Sequence, residues 1–121
     1  MREGEGYRKL RVYEKSYKVA KAIYEMSAAF PKEEMYAMTS QIRRAALSIP
    51  LNIAEGYVKR ESQKELKRFL LMAIGSANEV SVLLEFAKDI GYIEETRYQK
   101  ASEEYEEISK MLNKFIQRTE I

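Results

Sequence analysis

Apolar residues recur every three or four positions in four separate stretches of this chain, the spacing of one face of an α-helix. Val12, Val19, Ile23, Met26 and Phe30 form the first stripe, with Tyr13, Tyr17, Ala20 and Tyr24 beside it. Met35, Met38, Ile42, Ala45 and Ile49 form the second. Leu66, Leu70, Ala73, Ala77, Val80, Leu84 and Ala87 form the third, and Tyr98, Ala101, Tyr105, Ile108, Leu112 and Phe115 the fourth. No stretch alternates with the period of a strand. Helices with one apolar face are stable only when those faces cover one another.

The punctuation fits four helices, since there are only two prolines and five glycines. Residues 1–9 hold two of those glycines and read as a loose N-terminal arm. A first helix spans about Arg11 to Ala29. Pro31 ends it and can open the second, with Glu33 and Glu34 suited to a helix N-terminus. The second helix reaches about Tyr57 with Pro50 inside it, where a missing N–H and a clash with the Ala46 carbonyl predict a kink. A break near Ser48 is the alternative. Ser62 and Glu65 have capping-box spacing and start the third helix; Gly91 stops it, and the fourth begins near Glu94. Short connections favour antiparallel neighbours. The predicted architecture is all-α: one domain, 10–121, folded as an antiparallel up-down-up-down four-helix bundle kinked at Pro50.

Missing residue types narrow the chemistry. The 121 residues include no cysteine and no histidine, which excludes Ser-His-Asp and Cys-His catalysis, His- or Cys-ligated zinc and the Glu-x-x-His pairs of di-iron bundles. Asp89 is the one aspartate, and no glutamate cluster lies on an apolar face to hold Mg²⁺. The chain reads as non-enzymatic, without cofactor or metal. Its N-terminus lacks the pattern of a signal peptide, and Asn78 and Glu79 interrupt the longest apolar run, Phe69 to Leu84. That run reads as too short for a bilayer, and the protein as cytoplasmic with no membrane partner.

Charge is uneven. Residues 1–60 carry 12 basic and 7 acidic groups, residues 61–121 carry 9 and 12. Arg43 and Arg44 have no carboxylate three or four positions away, and Glu79 has no local cation. Glu79 also shares a mostly apolar stripe with Phe69, Met72, Ser76, Leu83 and Phe86, where an unpaired charge is costly. The economical reading pairs Arg43 or Arg44 with Glu79 or Glu55, within or between subunits; the alternative is contact with a ligand phosphate. Two basic clusters compete as phosphate surfaces. One is Arg8, Arg11, Lys15 and Lys18; the other is Lys59, Arg60, Lys64, Lys67 and Arg68. The bland alternative for both is a solvated face with local pairs such as Glu61–Lys64 and Glu65–Arg68. Gly75 and Ser76, with Ala73 and Ala77, read as a small-residue patch for close helix packing against Ala45, Ala46 and Ser48. Tyr13, Tyr17 and Tyr24 widen the first helix's apolar face, which suits self-association or burial under the arm.

The segment Gln41-Ile-Arg-Arg-Ala-Ala-Leu-Ser-Ile-Pro-Leu-Asn-Ile-Ala-Glu-Gly56 resembles the signature of the 23S rRNA intervening-sequence protein family, also called the four helix bundle protein family. Leu10-Arg-Val-Tyr13, Phe30-Pro31, Phe69-Leu70, Ala73-Ile-Gly-Ser76 and Glu79 extend the likeness over nearly the whole chain; Tyr13 stands where the family usually has tryptophan. The resemblance implies a bundle assembled as a ring-like homopentamer. It also implies likeness to the accessory variability protein of diversity-generating retroelements, a basic pentamer that binds nucleic acid and a reverse transcriptase. The expected function is a homopentameric adaptor for structured RNA or DNA, with a protein partner such as a reverse transcriptase. The competing expectation is a scaffold that binds protein only.

Overall fold

The computed structural model describes residues 6–119. Four α-helices, α1 (Arg11–Ser27), α2 (Met38–Val58), α3 (Gln63–Asp89) and α4 (Glu95–Thr119), account for most of them, and no strand occurs among the described residues. The predicted stripes are the core. Ile23, Ile42, Ile49, Ile53, Leu70, Leu84, Ile108 and Leu112 are essentially inaccessible to water, each contributing about 1.5–3 kcal/mol relative to exposure. Tyr98 and Phe115 are only partly covered.

Local chemistry sets most boundaries. Ser62 Oγ accepts the Glu65 backbone N–H at 3.1 Å, while the Glu65 carboxylate turns to Arg68, so only half of the capping box forms. At the other end of α3, Gly91 takes φ +87°. The Tyr92 N–H bonds the Ala87 carbonyl at 2.8 Å and the Gly91 N–H bonds that of Lys88 at 3.0 Å, the Schellman arrangement that glycine permits.

Two expectations shift. The second helix starts later than Pro31 suggests: Lys32–Glu34 form a 3-10 turn, Met35 and Tyr36 are exposed, and α2 begins at Met38. The N-terminal arm is ordered where it is described. Gly6–Lys9 make a 3-10 turn packed on α1 and α2, because Tyr7 sets its ring edge-on to Tyr13 at 5.0 Å; residues 1–5 of the arm lie outside the described residues. Pro50 is buried, and α2 runs past it without the break considered near Ser48. Ile49 and Ile53, both fully buried, tie the turns on either side to one core.

Cross-helix contacts fix the register. Gln41 meets Glu79 and Ser48 meets Ser76, while Gly56 abuts Phe69 and Leu66, so α2 and α3 run in opposite directions. Arg43 reaches Tyr24 and Ser27 and Lys9 sits over Tyr57, which orients α1 against α2 in the same way. Lys15 meets Glu104 and Glu107 across the α1–α4 seam. Lys88 meets Glu95 and Tyr98 beside the α3–α4 turn. By length and composition α3 meets the criteria for crossing a bilayer, a test that the core helix of a bundle also passes, and 33% of its most apolar window is buried. Part of its apolar surface faces outward.

Candidate nucleic-acid interface

The register gathers cations from three distant parts of the chain at one end of the bundle. The start of the chain supplies Arg8, Lys9 and Arg11; the α2–α3 turn supplies Lys59, Arg60, Lys64, Lys67 and Arg68. The last turns of α4 add Lys110, Lys114 and Arg118, all exposed. Lys88 touches Glu95 and Tyr98, so equal rises along the antiparallel α3 and α4 bring Arg118 level with the middle sixties. Among the described residues, Glu55, Glu61 and Glu65 dilute this end near the turn. The opposite end is net acidic, with Glu25, Glu33, Glu34, Glu85, Asp89, Glu94 and Glu95 around its two loops against Lys32, Lys88 and Arg97.

Several of these cations are held in place. Arg60 lies over the Tyr57 ring at 4.1 Å and donates to the Tyr57 carbonyl. Lys59 and Arg68 both stand over Phe69, at 4.8 and 4.5 Å. Lys59 also pairs with Glu55 at 3.5 Å, and Arg68 grips Glu65 through two nitrogens. That hydrogen bond from Arg68 holds the Glu65 carboxyl below the usual carboxylate range and raises the guanidinium in return. Arg11, Lys110, Lys114 and Arg118 have no hydrogen bond, ion pair or ring partner among the described residues.

The N-terminal stripe divides. Arg11 belongs to the basic end, whereas Lys15 is taken up by Glu104 at 3.2 Å and Glu107 at 3.6 Å, and Lys18 by Glu14 at 3.7 Å. These two lysines stitch α1 to α4 or to itself. Neither basic cluster of the sequence includes Lys110, Lys114 and Arg118, which follow the acidic run Glu103, Glu104, Glu106 and Glu107 on the fourth helix. The signal was present as a switch of sign along one helix.

Within the chain, the pairing of Arg43 or Arg44 with Glu79 or Glu55 is not found. Arg43 donates from Nε to Ser27 Oγ at 2.8 Å and from a terminal nitrogen to the Tyr24 carbonyl at 3.1 Å, with its guanidinium over the Tyr24 ring. Glu55 belongs to Lys59. Glu79 is exposed rather than buried on an apolar stripe, and receives a 3.5 Å contact from Gln41. Arg44 lines an open polar groove of about 500 Å³ with Tyr36, Ser40, Gln41, Ser48, Ser76 and Glu79, and has no partner among the described residues. The tyrosine stripe is also used internally: Tyr13 sits between the rings of Tyr7, edge-on, and Tyr17, tilted, and Tyr24 lies under Arg43.

The close-packing role read for Gly75 falls instead to Gly56, in the last turn of α2. At Gly56 an added Cβ meets Phe69 Cβ at 3.0 Å and the Leu66 carbonyl at 3.4 Å, so the closest α2–α3 approach depends on it. Gly75 faces open space, although a glycine in a helix interior costs about 1 kcal/mol relative to alanine. Ser48 and Ser76 do meet, at 2.7 Å.

A family model for the 23S rRNA-intervening sequence protein matches residues 8–114. The chain belongs to that family. A crystal structure of a protein of unknown function from the S23 ribosomal protein family of Bacteroides thetaiotaomicron superposes with a TM-score of 0.80 at 29% identity, covering 88% of this chain and 95% of that one. No curated protein gives a significant match. The family match spans the α2–α3 turn, Arg44 and Gly75, and stops short of Arg118.

Proposed function

We propose that this family member is a non-enzymatic, homo-oligomeric adaptor that binds structured RNA or DNA at its basic end. The observation that carries the reading is the convergence of cations from the chain's start, the α2–α3 turn and the end of α4 on one end of the bundle, with acidic groups at the other. Phosphate binding draws on such clusters through counterion release, and a repeated subunit multiplies a patch that is weak alone. The five-fold count, the cytoplasmic location and a protein partner follow from the sequence reading and the family resemblance.

A second reading, a scaffold that binds protein only, draws support from the exposed apolar side chains of α2 and α3. Titrating RNA and DNA binding against salt separates the two. The adaptor requires the logarithm of affinity to fall linearly with that of salt, by about 0.7–0.9 for each phosphate engaged, and to fall further when Arg60, Lys64 and Arg68 are changed to glutamate. Binding that ignores salt, or no binding at all, sinks the adaptor in favour of the scaffold.

A further inference from the structure

Two helices carry a second seam that the single chain leaves bare. On α2, Arg44, Leu47, Leu51 and Val58 follow steps of three, four and seven on the side away from the core, with Leu51 61% and Val58 67% exposed. On α3 the same kind of spacing picks out Met72, Gly75, Glu79, Val82 and Phe86, and the three large apolar residues among them are all exposed. This is the spacing by which helices pack along a shared stripe. Among the described residues, α4 shows solvent no comparably exposed large apolar side chain, and α1 only Tyr17 and Tyr24.

Gly75 sits in the middle of the α3 seam with open space where its side chain would be. Nothing inside the chain requires a glycine there, whereas a second helix backbone approaching from outside does. Charge selects the occupant. Among the described residues, Arg44 on the α2 seam has no partner, and Glu79 on the α3 seam has only its long contact from Gln41. Each requires an opposite charge once apolar neighbours exclude water, and another copy of the same surface supplies it.

Register completes the match. Within one chain Gln41 lies level with Glu79 and Ser48 with Ser76, so Arg44 stands close to the height of Glu79, and Leu47 and Leu51 straddle that of Gly75. Rotating a copy about an axis along the bundle preserves those heights. We propose that α2 of one copy packs along α3 of the next, with Leu47 and Leu51 seated at Gly75 and Arg44 paired with Glu79. The contact sets the α2 seam of one copy against the α3 seam of another, the two copies being related by rotation about an axis along the bundle. It specifies the surface behind the self-association proposed above and rests on that reading.

Light scattering and sedimentation over a concentration series, with circular dichroism as a control for folding, test this on the full chain. Wild type is expected to assemble. Gly75→Leu is expected to be monomeric with helix content intact, since a Cβ at this exposed position meets nothing within 4 Å among the described residues. Arg44→Glu and Glu79→Arg should each raise the dissociation concentration by about tenfold or more, and the double variant Arg44→Glu/Glu79→Arg should return it to within about threefold of wild type. An assembly unmoved by Gly75→Leu, or charge reversals whose effects simply add, overturns this surface and leaves self-association standing. A wild type that is monomeric throughout overturns both.

Discussion

Arg43 closes the end of the preceding helix: its Nε donates to Ser27 Oγ at 2.8 Å and a terminal nitrogen donates to the Tyr24 carbonyl at 3.1 Å. The last turn of α1 is thus capped by a cation from α2: the Tyr24 carbonyl, which also accepts the Ala28 N–H and the Ser27 hydroxyl, gains a charged donor where the helix dipole favours positive charge. Arg43→Ala is expected to lower unfolding free energy by about 1–2 kcal/mol, measured by urea titration. Arg43→Lys should recover only part of that, because one ammonium cannot reproduce the forked geometry or the stacking on Tyr24. Full stability in the alanine variant would contradict the capping role.

The glycines make opposite predictions. Gly56→Ala should destabilise the fold by about 1–3 kcal/mol, since the added methyl presses on Phe69 and the Leu66 backbone. Gly75→Ala, compared at concentrations too low for assembly, should stabilise it by up to about 1 kcal/mol through helix propensity alone. Urea midpoints moving in the same direction for both would refute the contrast.

Tyr105 carries the one buried side-chain polar atom without a hydrogen-bond partner among the described residues. Removing that hydroxyl relieves a desolvation cost and breaks no bond, so Tyr105→Phe should raise thermal stability, by about 1 kcal/mol. Burial pushes this phenol well above the ordinary tyrosine range, and Glu104 adds to the shift. Above a pH of about 10 the unfolded chain loses this proton while the folded chain keeps it, so stability falls as pH rises towards the folded-state value. Tyr105→Phe should flatten that alkaline limb of the stability profile, and an unchanged slope would show that Tyr105 does not drive it.

The two basic clusters of the sequence should separate in binding assays. Reversing Arg60, Lys64 and Arg68 is expected to weaken RNA or DNA binding and reduce the salt slope. Reversing Lys15 and Lys18 should leave nucleic-acid affinity nearly unchanged and lower stability instead, because Glu104, Glu107 and Glu14 already engage them. Equal loss of affinity in both variants would move the interface to the α1–α4 seam.

The sequence by itself determined the four helices, their core stripes, the Ser62 start and the Gly91 stop. Periodicity, a capping hydroxyl and a positive-φ glycine act on neighbours along one chain and can be read in order. Only the tertiary structure decided what Arg43 holds, which glycine is pressed against a neighbour, and that Lys59, Lys114 and Arg11 share one end. The first-half and second-half charge balance hid that end, because its cations come from the beginning, middle and close of the sequence. A stripe fixes which face of a helix is buried. Which carbonyl, ring or charge meets it across the gap depends on axial register and rotation, and those are set only when all four helices pack together.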